Sequence, residues 1–193
     1  IVSRDDESIL TVAAATGAET HRRSIESASD TASSEAALIE AILDLQLNRA
    51  EQILAFIQCT SPFLEAADVE AVLAPVMSGQ ADTSFSAIPF HGYLWDAAED
   101  GQALPVGHRG QNRKRRQDEA PRLLETGAVY VMRIDGLLKH GTRFHGRTVP
   151  VLVDPRRALE VDSPEDLALA RLVQPFLESG LDGAGESLPL PAQ

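Results

Sequence analysis

The stretch ILAFIQCTSP, residues 53–62, decides the fold class of this chain. It opens with five consecutive apolar residues, Ile53 to Ile57, a run too short for a helix and without the alternation of a strand that has one solvated face. This pattern is typical of a strand that is covered on both faces, as in an α/β sheet. The polar residues after Ile57 predict a loop at the carboxyl end of that strand.

Apolar runs of the same kind recur along the chain and are separated by helical patterns. Strands are predicted at residues 83–88, 128–134 and 148–153, and helices at residues 35–47, 66–77 and 164–177. Pro75 is expected to interrupt the second of these helices. Because strands alternate with helices, the expected fold is α/β, with right-handed crossovers and a mostly parallel sheet covered on both faces.

The composition is that of an ordinary globular protein, with 44% apolar and 24% charged residues over 193 positions. A chain of this length predicts one domain, placed at residues 1–179, followed by a loose tail at 180–193. Cys59 is the only cysteine, so no internal disulfide ties the protein to an oxidising compartment. The sequence has neither a long apolar run nor a signal-peptide pattern, which predicts a cytoplasmic protein without a membrane segment.

The charge distribution narrows the classes of partner. A formal net charge of −12 argues against binding to nucleic acid or to an acidic membrane, because both would repel the protein. Five of the 17 basic residues nevertheless lie in RGQNRKRR, residues 109–116. Such a cluster is a solvated loop, a localisation signal or a site for a small anion. It lies within residues 89–121, where apolar periodicity fails and only a hairpin around Trp95 is predicted.

The loop after Ile57 is the first candidate site, because ligands of an open α/β sheet bind beyond the carboxyl ends of its strands. The same rule draws attention to the loops after Val2 and around Glu160. Gln58, Thr60 and Ser61 offer neutral hydrogen bonds to sugar hydroxyls. The alternative is an ordinary turn that caps the next helix, and the motif alone does not separate the two.

The second candidate is SASDTASS, residues 27–34, which directly precedes a predicted helix. Hydroxyl side chains at this position cap a helix, and a helix N-terminus also favours anions. Arg22 and Arg23 lie just upstream, where they can reach a phosphate or carboxylate. Plain helix capping is the alternative.

The third candidate is the acidic segment Glu160-Val161-Asp162. In an extended segment, residues two apart share a face, so both carboxylates can point into one pocket. Two carboxylates together with a nucleotide phosphate are a usual way to hold Mg²⁺. A solvent-facing charge pair is the alternative.

Taken together, these motifs form an ordered series: SDTASS, Q-x-TSP, RRQD, TGAVY and E-V-D-S-P-E-D-L. In order and spacing, the series resembles the acylneuraminate cytidylyltransferases across roughly residues 1–175. The usual forms in that family are ASDTASS, QPTSP or QATSP, RRQ, NGAIY and DIDTPEDL. Five segments in the right order make a chance match improbable.

This resemblance implies a Rossmann-like three-layer sandwich with a protruding dimerisation segment. It also implies an enzyme that transfers CMP from CTP to the anomeric hydroxyl of a nine-carbon acidic sugar, with release of pyrophosphate and a requirement for Mg²⁺. The implied site residues are Arg23 and Ser34 for CTP, Gln58, Thr60 and Ser61 for the sugar, Glu160 and Asp162 for the metal, and Arg116 and Asp162 for catalysis. The implied partner is a second copy of the chain, contacted through residues 89–121.

The sequence departs from the family pattern at several places. Glu160 stands where aspartate is usual, Thr126 replaces the common asparagine, and Cys59 replaces proline or alanine. The family also begins with a strand and a glycine-rich basic loop that cradles the triphosphate, and this sequence has no such segment. We expect that this segment belongs to the full protein, because a strand would otherwise be missing from the sheet.

Two other functions remain open at this point. One is a cytidylyltransferase for a related acidic sugar such as Kdo, pseudaminic or legionaminic acid, and the other is a non-catalytic nucleotide-sugar-binding subunit. No general base is identified. The histidines that qualify by residue type alone are His91, His108, His140 and His145.

Overall fold

A computed structural model describes residues 1–29, 31–47, 52–108, 110, 115–118 and 122–178, apart from the side chain of Arg116. Its elements, in chain order, are β1 (Val2–Arg4), α1 (Glu7–Ala15), β2 (Thr20–Arg22), α2 (Ser34–Asp44), β3 (Ile53–Ile57), α3 (Ala66–Met77), β4 (Thr83–Phe90), β5 (Leu94–Ala97), β6 (Ala103–Val106), β7 (Arg122–Arg133), α4 (Ile134–His140), β8 (Thr148–Leu152) and α5 (Pro164–Glu178). Two 3-10 turns, Arg116–Asp118 and Pro155–Arg157, lie before β7 and after β8.

The main sheet has four strands in the order β3-β7-β4-β8. Strands β4 and β8 are parallel, and β7 is antiparallel to both of its neighbours, β3 and β4. Three strands therefore share one direction and β7 alone is reversed. The α/β fold is confirmed, and the sheet is mixed, with its parallel part formed by β4 and β8. A separate parallel pair joins β1 to β2.

Helices cover both faces of the main sheet, as the apolar runs predict. On β7, Val129 and Val131 pack with residues of α3 in one apolar cluster. Tyr130 and Met132, which point to the opposite face, pack with residues of α2 and α4 in a second cluster. The sheet is therefore the middle layer of three, and β7 is buried on both faces from Ala128 to Met132.

Three sequence-based predictions about these elements are wrong. The helix predicted at residues 35–47 ends at Asp44, because the backbone takes a positive φ two residues later. The strand predicted to run through residue 134 ends at Arg133, and Ile134 instead begins α4. Ile134 is buried in either case, so local hydrophobicity does not mark the change from strand to helix. Pro75 does not interrupt α3, because it lies in the last turn, where its carbonyl accepts hydrogen bonds from the amides of Gln80 and Ala81.

Helix ends follow the sequence signals more closely. Asp6 caps α1 by accepting hydrogen bonds from the amides of Ser8 and Ile9. Before α5, the Ser163 hydroxyl and the Asp166 carboxylate each accept a hydrogen bond from the other residue's amide, a capping box. In the part of the chain that the structure describes, no helix is both long enough and apolar enough to cross a bilayer.

The segment at residues 89–121 contains the hairpin that the sequence predicts around Trp95. Strands β5 and β6 form an antiparallel ribbon that is a sheet of its own. Every residue of both strands is exposed. Residues 109 and 111–114, which hold much of the basic cluster, lie outside the described residues. The domain boundaries and the tail stay predictions.

Candidate functional site

The loop at residues 58–61 follows β3 directly and continues its pairing for one residue, because the Gln58 amide donates to the Ala128 carbonyl at 3.1 Å. Gln58 and Thr60 are half-buried, and Cys59 is exposed. Ser61 is buried, and its hydroxyl oxygen has no hydrogen-bond partner among the described residues. Of the three side chains predicted to bind a sugar, Gln58 and Thr60 are therefore the accessible ones.

The acidic segment Glu160-Val161-Asp162 lies against this loop. The Val161 amide donates a hydrogen bond to the Thr60 carbonyl at 2.8 Å, although the two residues are a hundred and one positions apart in sequence. This single bond places the predicted metal-binding acids beside the predicted sugar-binding loop. Two of the loops that the sequence singles out separately are therefore in contact.

The Glu160 carboxyl group occupies a restricted position against the backbone of β7. Gly127, which has a left-handed φ of +71°, leaves the space that the carboxyl group fills, and an added Cβ there would overlap it. Burial, followed by the negative charges of Asp162 and Glu125, raises the pKa of Glu160 above its usual value. Glu160 and Asp162 lie two residues apart and offer the hard carboxylate oxygens that Mg²⁺ prefers, so these side chains fit that cation.

Arg23 lies near the same loop. Its guanidinium donates to the Ser3 hydroxyl at 3.2 Å, and Cys59 is close enough to influence its pKa. Burial and the neighbouring charge of Arg4 lower the pKa of Arg23, while Asp5, Glu40 and Cys59 oppose that change. A cation that is partly buried and repelled by another cation is well suited to an anionic ligand.

Ser34 is the first residue of α2, and its neighbour Ser33 is the N-cap, whose hydroxyl accepts from the Ala36 amide at 3.2 Å. The capping role in this motif therefore belongs to Ser33, and the Ser34 hydroxyl is half-buried at the start of the helix. Arg116 begins a 3-10 turn, but its side chain lies outside the described residues.

Three of the four histidines considered as bases are held in other contacts. His108 packs edge-on against Tyr93 and Trp95 beside the ribbon. His140 stacks on His145, and burial, followed by the charge of His140, lowers the pKa of His145. His91 is exposed. None of the hydrogen bonds found among the described residues joins these rings to Glu160, Asp162 or Arg23.

Comparison with curated proteins identifies relatives along most of the chain. N-acylneuraminate cytidylyltransferase A from Danio rerio is 28% identical over 173 residues, 88% of this chain. N-acylneuraminate cytidylyltransferase from Oncorhynchus mykiss is 32% identical over 134 residues, 67% of this chain. The chain is a homologue of the N-acylneuraminate cytidylyltransferases. It spans 39% and 30% of the lengths of these two relatives. No protein-family model matches the chain.

Solved structures show that this homologue has the fold of CTP-using nucleotidyltransferases. A 4-diphosphocytidyl-2C-methyl-D-erythritol synthase superposes with a TM-score of 0.62 at 14% identity, covering 90% of this chain and 78% of its own. A CMP:2-keto-3-deoxy-manno-octonic acid synthetase complexed with CTP superposes with a TM-score of 0.60 at 16% identity, covering 92% and 80%. At these identities the likeness establishes the fold alone. The Rossmann-like architecture expected from the motifs is thus confirmed.

Sequence reasoning missed two side chains around the site of this cytidylyltransferase homologue. Glu125 contributes to the negative charge at Glu160 and accepts a short hydrogen bond from the Tyr130 hydroxyl. Arg143 donates to Glu35 at 2.7 Å and lies over the Tyr130 ring, 4.5 Å from its centroid, so it anchors the first turn of α2. Glu125 directly precedes the TGAVY motif, and that proximity was the one available signal; no local pattern points to Arg143.

Sequence reasoning also missed a cluster of three polar side chains. Ligand atoms of His21, Glu40 and Asp44 all lie within 4.8 Å of one another. His21 is buried, and its Nε2 is 3.1 Å from Asp44 and its Nδ1 2.9 Å from the Ser3 hydroxyl. Both ring nitrogens therefore have protein partners, and the cluster is accounted for as a structural link between β2 and α2.

Proposed function

We propose that this protein transfers CMP from CTP to the anomeric hydroxyl of a nine-carbon acidic sugar and releases pyrophosphate. The observation that carries the proposal is the 2.8 Å hydrogen bond from the Val161 amide to the Thr60 carbonyl, which joins the acidic segment to the loop after β3. It does so in a chain whose curated relatives are N-acylneuraminate cytidylyltransferases. Two neighbouring loops thus hold groups suited to a sugar and groups suited to a metal-bound nucleotide.

In the proposed step, the sugar hydroxyl oxygen attacks the α-phosphorus, a new P–O bond forms, the bond to pyrophosphate breaks and the hydroxyl proton is released. The sugar carboxylate and the triphosphate both carry negative charge, so binding and reaction require cations. Arg23 is proposed to neutralise the bound CTP, and Arg116 the reacting anions. Ser34 is proposed to donate its hydroxyl to CTP at the start of α2, where the helix terminus favours phosphate.

The proposed cofactor is Mg²⁺, held by Glu160 and Asp162. When bound, it would neutralise charge on the phosphate oxygens. The role of the protein is to hold the two carboxylates together in a site where burial, followed by the charge of Asp162, raises the pKa of Glu160. Gln58 and Thr60 are proposed to orient the sugar through hydrogen bonds, and Ser61 takes part only if the loop opens, because its hydroxyl is buried.

The test is CTP-dependent pyrophosphate release by the full-length protein, measured against a panel of acidic sugars with Mg²⁺ and with EDTA. Turnover with a nine-carbon acylated sugar, abolished by EDTA, is the expected result. Turnover confined to Kdo, pseudaminic or legionaminic acid would reassign the substrate within the same chemistry. CTP or CMP-sugar binding without turnover on any sugar would instead indicate a binding subunit.

A homodimer formed through the ribbon β5–β6 and a cytoplasmic location are further parts of the proposal. An isolated two-stranded ribbon is only marginally stable in water, so this one is expected to pack against a partner. Trp95, Ala97, Ala103 and Pro105 share one face of the ribbon, which carries no charge, and Trp95 is 43% exposed. The exposed Cys59 thiol fits a reducing compartment.

Trp95→Asp is expected to weaken dimerisation at least tenfold, because it replaces the largest apolar side chain of that face with a charge. Gln102→Asp is the matched control, since it adds the same charge beside the turn and outside that face. Sedimentation velocity at micromolar concentration measures both variants. A wild-type protein that sediments as a monomer, or equal effects of the two variants, would contradict the assignment.

A further inference from the structure

A partly buried ion pair joins α3 to the residues just before the acidic segment. The guanidinium of Arg157 makes two hydrogen bonds to the Asp68 carboxylate, from Nε to Oδ2 at 3.0 Å and from Nη2 to Oδ1 at 2.8 Å. The side chain of Asp68 is 8% exposed and that of Arg157 is 21% exposed. Breaking a buried pair leaves an uncompensated charge, so this two-point contact holds its two segments in one relative position.

The two segments are those that carry the candidate site. Asp68 lies in the first turn of α3, where its carboxylate also accepts from the Glu65 amide at 3.2 Å, and α3 follows the loop at residues 58–61. Arg157 lies three residues before Glu160. One residue after Glu160, the Val161 amide is bonded to Thr60. The backbone on both sides of Glu160 is therefore attached to the loop at residues 58–61 and the helix α3 that follows it.

The charges around Arg157 indicate that it does not itself bind substrate. Besides Asp68, its guanidinium lies 3.6 Å from carboxylate oxygens of both Glu65 and Asp154. Three carboxylates already surround this one cation. Its adjacent residue Arg156 is different, because its side chain is 58% exposed and is paired with Asp154 at the surface.

The position of the Glu160 carboxyl group leaves little room for movement of the acidic segment. The carboxyl group fills the space beside Gly127, where an added Cβ would overlap it. A two-point attachment three residues before Glu160 opposes movement of residues 160–162 away from β7 and from the loop at residues 58–61.

We infer that Arg157, through its paired hydrogen bonds to Asp68, is a positioning residue that holds Glu160 and Asp162 in place to bind a divalent cation beside the loop at residues 58–61. This inference rests on the proposed function, because it assumes that the two acids bind a metal. It assigns to Arg157 an effect on metal affinity and not a contact with substrate.

Arg157→Lys tests the inference, because lysine keeps the positive charge and loses the planar two-point geometry. The expected result is a rise of about tenfold or more in the Mg²⁺ concentration that gives half-maximal turnover, with most of the maximal rate regained at saturating Mg²⁺. Arg156→Lys is the matched control in the same 3-10 turn and should leave the Mg²⁺ requirement unchanged. Asp68→Asn should reproduce the effect of Arg157→Lys, which covers the case in which one variant folds poorly.

Two readouts are independent of turnover. Hydrogen exchange at the Val161 amide should be faster in Arg157→Lys than in Arg156→Lys, because the bond to Thr60 opens more often. Mn²⁺ binding in the presence of CTP, followed by electron paramagnetic resonance, should weaken in the same variant. If the wild-type protein turns over no sugar, the proposed function fails, and these two measurements still decide the positioning role. A lowered melting temperature with unchanged metal affinity in Arg157→Lys and Asp68→Asn would overturn the positioning role of Arg157.

Discussion

Asp162→Asn is expected to lower Mg²⁺-dependent turnover by about a hundredfold or more, because metal and charge stabilisation contribute several kcal/mol to a transition state of this kind. The substitution removes a formal charge and nearly preserves shape. Asp162 is exposed, and the hydrogen bond it donates to Asp166 comes from its backbone amide, so the fold should be unaffected. Turnover measures the effect on the reaction, and melting temperature and circular dichroism measure any effect on the fold.

Glu165→Gln is the matched control for this experiment, because it removes a carboxylate charge three residues away on the exposed first turn of α5. It should leave turnover unchanged. Glu160→Asp should be much milder than Asp162→Asn, since it restores the residue usual in the family. If both acids form only a solvent-facing pair, Asp162→Asn will keep normal Mg²⁺-dependent turnover, and the metal assignment will be wrong.

The pH profile gives a second measure of the same variant. Like charge from Asp162 helps to raise the pKa of Glu160, so removing it should lower that pKa toward its ordinary value. Glu160 then stays ionised to lower pH. The acidic limit of any residual metal binding in Asp162→Asn should consequently move to lower pH than in the wild-type protein. An unchanged limit would contradict the electrostatic coupling of the two carboxylates.

Gly127→Ala is expected to reduce turnover by roughly tenfold to a hundredfold, because small misplacements of reacting groups are costly. The added Cβ would overlap the Glu160 carboxyl group, which must then move. The left-handed φ of +71° also disfavours alanine by about 1–2 kcal/mol. Urea unfolding measures this second effect and Mg²⁺-dependent turnover measures the first.

Gly141→Ala is the control that separates the effect of backbone strain from the effect of displacing the Glu160 carboxyl group. Gly141 has a φ of +67°, close to that of Gly127, and an added Cβ there would have no heavy atom within 4 Å. It ends α4 and should show a similar loss of stability of about 1–2 kcal/mol with little loss of turnover. Equal turnover in the two variants would show that the position of Glu160 does not matter for the reaction.

The sequence by itself determined the fold class, the positions of the central strands and the loops that form the candidate site. Residues 53–57 form β3 as predicted, the predicted strand at 83–88 lies within β4, and residues 128–133 of the strand predicted at 128–134 lie in β7 of the same sheet. These features were predictable because a strand covered on both faces needs an unbroken apolar run, and that requirement is local. The ordered polar motifs then placed the candidate residues at the ends of those strands.

Tertiary structure alone decided strand direction and the groups that surround the acids. An apolar run has the same appearance in either direction, so only pairing shows that β7 is reversed between β3 and β4. Asp68 and Arg157 are 89 positions apart, and Val161 is still farther from Thr60. Each of these residues is unremarkable in its own segment. Contacts of this kind depend on how distant segments pack. A local sequence pattern does not show which distant residue will pair with a buried charged side chain.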